Sequence, residues 1–119
     1  MTSTDTATTI RELNDAFRAT TTARIGPWVG SGQLFITRGV ASRGDDFVVH
    51  AIAAVRAFSN FTPSNDPWGE HDYGAFDLNG ERLMWKIDYY DAALEMGSED
   101  PADIMKTRRV LTILLTEEY

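Results

Sequence analysis

The chain has no cysteine and only two histidines in 119 residues. Without thiols there is no disulfide framework, no thiolate zinc site, no iron–sulfur cluster and no cysteine nucleophile. The histidines, His50 and His71, form neither an H-x-x-H nor an H-E-x-x-H pair, so the common helical zinc motifs are absent. No apolar run approaches the ~18 residues of a membrane span. The Thr-rich start lacks the apolar stretch of a secretory signal, and a cytoplasmic location is the expectation that follows. Bases are also scarce: 11 Lys and Arg stand against 18 Asp and Glu, a formal charge of −7. That balance argues against generic nucleic-acid binding, which neutralises phosphates with Lys and Arg. What is present is 43% hydrophobic residues in a length that suits one domain. Such a chain buries roughly two thirds of its unfolded surface without covalent staples.

The acidity is local. Residues 1–60 carry six bases and five acids, whereas residues 61–119 carry five bases and thirteen acids. Between Asp66 and Asp103 lie eleven acids, offset only by Arg82 and Lys86. A near-neutral body with one acidic block bears on partners and association rates rather than on fold. The plain alternative is a solvated surface that keeps the protein soluble.

Residues 1–8 read as a disordered N-terminal tail, followed by a single domain over 9–119. Thr9 and Glu12 form a T-x-x-E capping box, and Ile10, Leu13 and Phe17 share a helical face, which predicts a helix over 9–22. Gly26-Pro27 and Gly30-Ser31-Gly32 mark an irregular connection. Gln33 to Val40 reads as a strand. Asp45 and Asp46 suit a helix N-terminus, and Phe47, Ala51, Val55 and Phe58 recur at helical spacing, predicting a helix over 45–59. The segment 62–69 (TPSNDPWG) is a loop.

Asn79-Gly80, the favoured pair for a two-residue type I′ turn, sets the register of a hairpin. Phe76 then faces Leu83, Gly74 faces Trp85, and Asp72 faces Ile87. Phe76, Leu78, Leu83, Trp85, Ile87 and Tyr89 fall on the core face. The other face pairs Asp77 with Arg82, Ala75 with Met84, Tyr73 with Lys86, and His71 with Asp88. Asp100-Pro101-Ala102-Asp103 resembles a helix start and predicts a short helix to about Lys106. Residues 108–116 (RRVLTILLT) read as a buried strand, with a helix left open by period alone. The expected fold is α+β: an antiparallel sheet of the central hairpin plus two further strands, with two main helices packed on one face.

Several of these segments resemble one bacterial family in order: 65–74 (NDPWGEHDYG), 85–91 (WKIDYYD), 97–103 (GSEDPAD) and 107–113 (TRRVLTI). Segments 14–18 (NDAFR) and 37–40 (TRGV) fit as well. The family is catalogued as domain of unknown function 3768. The resemblance implies a small intracellular protein of proteobacteria, often on plasmids and other mobile DNA, with no accepted activity. It carries over no catalytic residue.

Two kinds of chemistry remain. Asp66, Glu70, His71, Asp72 and Asp88 offer a metal or acid–base site, since the register sets His71 across from Asp88 and hard cations take oxygen ligands. His71, Asp72 and Asp88 are the metal candidates within it. Against this, Glu70, His71 and Asp72 are consecutive and would point to alternating faces of a strand. A polar network in which carboxylates cap loop amides is the alternative. A restriction-type nuclease fails on spacing, no Gly-x-Ser-x-Gly elbow supports a hydrolase triad, and Gly30-Ser31-Gly32 is not a phosphate-binding loop. His50 sits at the edge of an apolar stripe.

The other reading is a binding surface. Exposed aromatics anchor interfaces, and surrounding carboxylates speed encounter with a basic partner. The expected contacts are Asp66, Trp68, Glu70, Asp88, Tyr90, Asp91, Glu99 and Asp100. The function expected is a small acidic, non-catalytic binding protein, an anti-CRISPR or anti-restriction inhibitor that blocks the basic nucleic-acid surface of a defence complex. No catalytic residue, cofactor, membrane or direct nucleic-acid contact is expected. The alternatives are a metal-dependent hydrolase or acid–base enzyme centred on His71 and Asp88, and a regulatory subunit or antitoxin.

Overall fold

A computed structural model describes residues 3–20 and 32–119. Helix α1 (Ser3–Thr20) precedes strand β1 (Gly32–Ile36), a one-turn helix α2 (Arg38–Ala41) and helix α3 (Asp45–Ala57). Strands β2 (Tyr73–Leu78), β3 (Glu81–Tyr90) and β4 (Arg108–Leu115) follow, and a 3-10 turn (Thr116–Glu118) closes the chain. The strands form one sheet in the order β1-β4-β3-β2. The pairs β2–β3 and β3–β4 are antiparallel, while β1 runs parallel to β4. The fold is α+β with a mostly antiparallel sheet.

The hairpin has the register its turn demands. Tyr73 pairs with Lys86, Gly74 with Trp85, Phe76 with Leu83 and Asp77 with Arg82. Asn79 and Gly80 adopt φ of 52° and 81°, the left-handed pair of a type I′ turn. Leu83, Trp85 and Ile87 of β3 meet Leu111, Ile113 and Leu115 of β4 in the core. Phe17 of α1, Val40 of α2, and Phe47, Ala51 and Val55 of α3 pack on the same face. Residues 108–115 are a strand, which settles the choice that period left open.

Elsewhere local chemistry redraws the expected boundaries. Helix α1 starts at Ser3, so residues 3–8, expected in a disordered tail, are helical and Thr9–Glu12 lies inside the helix. Extending a helix adds hydrogen bonds without a second nucleation cost, and each Thr opposes it by only a few tenths of a kcal/mol. The expected helix end at 22 and the connection through 26–31 lie outside the described residues. The first strand stops at Ile36 rather than Val40, because Thr37 caps α2: its hydroxyl accepts from Val40 N and donates to Glu118 Oε1. Glu118 also accepts from Gly39 N and Leu115 N, so a carboxylate from the C-terminal turn fixes this corner. Helix α3 ends at Ala57, two residues early.

Two further expectations fail. The short helix at 101–106 is instead a pair of turns, with Asp103 N donating to Asp100 O and Lys106 N to Asp103 O. Asp100 and Asp103 side chains take the amides two residues ahead, Ala102 N and Met105 N, which competes with helix formation. His71 and Asp88 do not pair. Ile87 N still donates to Asp72 O, but His71 turns out of the strand at φ 56°. Its ring joins the helix side of the sheet, while Asp88, between Ile87 and Tyr89, points to the other.

Gly74 shows how closely the core is fitted. A Cβ there would lie 2.4 Å from Trp85 Nε1 and 2.8 Å from the Phe58 ring. Gly74→Ala is therefore expected to destabilise the protein by about 1–3 kcal/mol, as overpacking does, read as a lower urea midpoint at unchanged slope.

Candidate functional site

The antiparallel order brings the start of β2, the end of β3 and the start of β4 to one end of the sheet. Loops 58–72 and 91–107 therefore share this pole. They hold eight carboxylates against one lysine, Lys106, while the rest of the chain carries ten acids and ten bases. The whole formal charge of the protein thus belongs to two loops.

Between these loops and the core lies a polar cluster built on α1. Arg11, Asn14, Asp15 and Arg18 recur at i, i+3, i+4 and i+7 and face the loop over 58–72. Arg11 Nη1 donates to Gly69 O at 3.1 Å, and Asn14 Nδ2 donates to Glu70 O at 2.9 Å and to the Tyr89 hydroxyl at 2.8 Å. Asp15 Oδ1 meets His71 Nδ1 at 2.9 Å. Arg18 donates to Val55 O and Phe58 O, and its guanidinium lies over the Phe61 and Trp85 rings.

Arg109 enters the cluster from β4 and is 1% exposed. Its Nε donates to Asn14 Oδ1 at 2.6 Å and its Nη2 to Pro101 O at 2.8 Å, and its guanidinium lies over the Tyr89 ring. Nη1 has no hydrogen-bond partner among the described residues. Desolvation lowers the pKa of this guanidinium, with Tyr89 and Glu70 opposing the shift.

Glu70 and Asp72 flank the Tyr89 hydroxyl, which donates to Asp72 Oδ2 at 3.3 Å. Burial raises the pKa of both carboxyls. Asp72 adds to the shift at Glu70, Asp66 and Asp88 add to that at Asp72, and the neighbouring Tyr89 hydroxyl opposes both. Burial also pushes the Tyr89 phenol above its ordinary range, against a hydrogen bond with Asn14, so it remains a neutral donor. His71 lies flat on Phe61, with ring centroids 3.7 Å apart, between Asp15 and Asp66, whose Oδ2 is 3.5 Å from Nε2. The arrangement fixes the acidic loop against α1.

The expected contact residues divide by environment. Asp66 and Glu70 join the cluster; Asp66 accepts from His71 N, and its side chain is 8% exposed. Trp68, 78% exposed, and Glu99, whose side chain is 71% exposed, stand at the surface. Asp91 accepts from Glu95 N and Met96 N, and Asp100 from Ala102 N, so both cap loop amides. Asp88 pairs with Lys86 on the face away from the helices, where Tyr90 also lies. His71, Asp72 and Asp88 are not brought together. Among the described residues no group of three or more His, Asp or Glu is placed to hold a metal ion. Asn14, Asp15 and Arg109 are the cluster members that hydrophobic periodicity overlooks. For Asn14 and Asp15 the available signal was the polar stripe 11, 14, 15, 18 beside the apolar one, and for Arg109 there was none.

A family model described as protein of unknown function (DUF3768) matches residues 36–118. No curated protein and no solved structure matches the chain. The matched span contains both acidic loops, Tyr89 and Arg109, and stops short of α1.

Removing the Asn14 carboxamide leaves Arg109 Nε and the Tyr89 hydroxyl short of a partner. Asn14→Ala is expected to cost about 2–4 kcal/mol in urea unfolding, several times a surface substitution. The raised carboxyls predict a pH dependence of opposite sign to the usual acid loss. A carboxyl whose folded pKa is raised opposes folding where it is ionised, and that cost fades as pH falls through the folded value. Glu70→Gln and Asp72→Asn should therefore raise the thermal midpoint at neutral pH, and the gain should shrink toward pH ~4. A gain that stays constant with pH would contradict this origin.

Proposed function

We propose, for a chain that belongs to the DUF3768 family of proteins of unknown function, the role of a small acidic, non-catalytic binding protein whose charged pole docks on a basic protein surface. The observation that carries this reading is the confinement of the net charge to loops 58–72 and 91–107, which also display large apolar side chains. Trp68 is 78% exposed, Met96 71% and Met105 75%. Met96, Met105 and Ala92 line a depression of about 390 Å³ rimmed by Asp91, Glu99 and Lys106. Methionine adapts to irregular partners, and an exposed Trp among carboxylates suits an Arg or Lys side chain through its ring face. Asp91 stays ionised because backbone amides, Glu95 N first, hold its pKa below the ordinary carboxylate value.

The finer form of the proposal is an anti-defence inhibitor, anti-CRISPR or anti-restriction, that covers the Arg/Lys channel of a nucleic-acid-handling complex. The protein would then be a cytoplasmic product of plasmids or other mobile DNA in proteobacteria. No helix of the described residues is long and apolar enough to cross a membrane. A regulatory subunit or antitoxin would use the same pole and differ in having a co-encoded partner. An enzyme centred on His71 and Asp88 gains no support, since the two side chains lie on opposite faces of the sheet.

The test is affinity capture from a native host, followed by titration of the captured protein and of its nucleic-acid ligand. Glu95→Lys with Glu99→Lys, or Trp68→Ala, should weaken binding by about ten-fold or more, while Asp77→Lys at the far end of the hairpin should not. Binding should also weaken as salt rises from about 0.1 M to about 1 M, which shortens the Debye length from about 10 Å to about 3 Å. The wild-type protein should displace nucleic acid from its partner. Binding indifferent to these changes, or a partner that keeps its nucleic acid, would overturn the proposal.

A further inference from the structure

On the sheet face away from the helices, two successive rungs form a groove of about 350 Å³. One rung is Gln33–Val110–Asp88 and the next Phe35–Thr112–Lys86, in the order β1, β4, β3. The strand spacing puts the flanking rows about 10 Å apart across β4, wide enough for one flat ring on the Val110 floor. Phe35 forms one side and is 53% exposed, so its ring face is open to a guest. Lys86 and Asp88, joined by an ion pair, form the other side. Tyr90 and Leu94 complete the lining at the end nearest the 91–107 loop.

Leu94 is the second observation. It is a bulky residue held at φ 60°, a conformation that favours glycine and asparagine. The loop holds it there: Leu94 N donates to Asp91 O, the Asp91 carboxylate takes Glu95 N and Met96 N, and Tyr90 bridges to Gly97. Backbone strain held by surrounding bonds at the edge of a groove is a recurrent mark of a ligand site.

The lining defines the ligand. One Lys and one Asp cancel, so the groove is neutral beside a strongly acidic pole, which disfavours an anionic guest. Val110, Phe35 and Leu94 offer an apolar bed. The ion pair offers a donor and an acceptor side by side, because Lys86 Nζ keeps N–H groups beyond the one given to Asp88, and the carboxylate keeps lone pairs. That is the complement of an amide edge, whose C=O faces the ammonium and whose N–H faces the carboxylate. We infer that this groove binds a small, flat, uncharged molecule with an amide-type donor–acceptor edge, of the nucleobase or nicotinamide kind. A volume near 350 Å³ is at the small end of ligand pockets, in keeping with such a guest.

The inference is independent of the partner-binding proposal and is tested on the isolated, isotopically labelled protein by NMR titration. The probes are uridine, guanosine, nicotinamide, N3-methyluridine and uridine 5′-monophosphate. At least one of the first three should give saturable shifts at Lys86, Val110 and Thr112 with a Kd of about 1 mM or tighter, which distinguishes the nucleobase from the nicotinamide source. Where uridine is the binder, blocking its N–H in N3-methyluridine should cost about ten-fold, as loss of a hydrogen bond to a charged group does. The 5′-monophosphate should bind no more tightly than uridine. Where guanosine or nicotinamide binds instead, Asp88→Asn should weaken it about ten-fold, and Lys86→Met should do the same for any of the three. Thermal unfolding checks that each variant is folded, and the probe comparison needs no variant. No saturable shift up to about 10 mM, shifts confined to another surface, or affinity unchanged by these substitutions would each overturn the inference.

Discussion

The carboxamide of Asn14 donates to the Tyr89 hydroxyl and the Glu70 carbonyl and accepts from Arg109 Nε. Those bonds join α1 to β3, to the loop before β2 and to β4 at one point, where Asn14 is fully buried. An amide is suited to this position because it donates and accepts at once: Arg109 can only donate, and the Glu70 carbonyl can only accept. A carboxylate in its place could not serve Glu70 O, and an apolar residue would strand a buried guanidinium. The acidic loops keep their places because this one side chain reconciles a buried cation with neighbouring oxygen acceptors. Arg109 in turn gives the Glu70 carboxyl a cation, which limits how far burial drives it toward protonation.

The same constraint explains how so much like charge is tolerated at one pole. Several of its eight carboxylates are tied into the backbone. Asp66 takes His71 N, Asp91 takes Glu95 N, Asp100 takes Ala102 N, and Asp103 takes Met105 N. Each trades repulsion for a charge-assisted hydrogen bond, which is stronger than a neutral one. The carboxylates of the pole therefore divide between those bound into the loop backbone and those left exposed, such as Glu95 and Glu99.

What was legible in the sequence follows the range of the interaction responsible. The hairpin register was legible because two residues, Asn79-Gly80, fix it locally and the alternation of Phe76, Leu83, Trp85 and Ile87 agrees with it. Helix α3 was legible from its apolar spacing. The failures involve partners distant in sequence. Strand β1 ends early because Glu118, 81 positions beyond Thr37, holds the cap of α2. The Asn14–Arg109 bond spans 95 positions and leaves no local trace. His71 was set opposite Asp88 by extending a ladder that stops at Tyr73, since a positive φ at His71 turns its ring toward Asp15 and Phe61. Candidate residues chosen by charge alone mixed surface groups with caps, because a capping carboxylate and a free one look identical in a sequence.

That mixture decides which residues can report on the charge of the pole. Reversing Asp91 would remove the acceptor for Glu95 N and Met96 N, and with it the geometry that holds Met96 in its depression and Leu94 beside the groove. Reversing Asp66 or Glu70 would disturb His71 or the surroundings of Tyr89 and Arg109. An effect at any of these three positions would confound lost charge with a displaced loop. Glu95 and Glu99 are exposed, and neither side chain takes a backbone amide among the described residues; Glu99 has only Lys106 nearby, at 3.8 Å. Their charge can be reversed with the loop left standing. A partner that senses the field of the pole must respond to these two residues, whereas one that needs only the loop's shape will not.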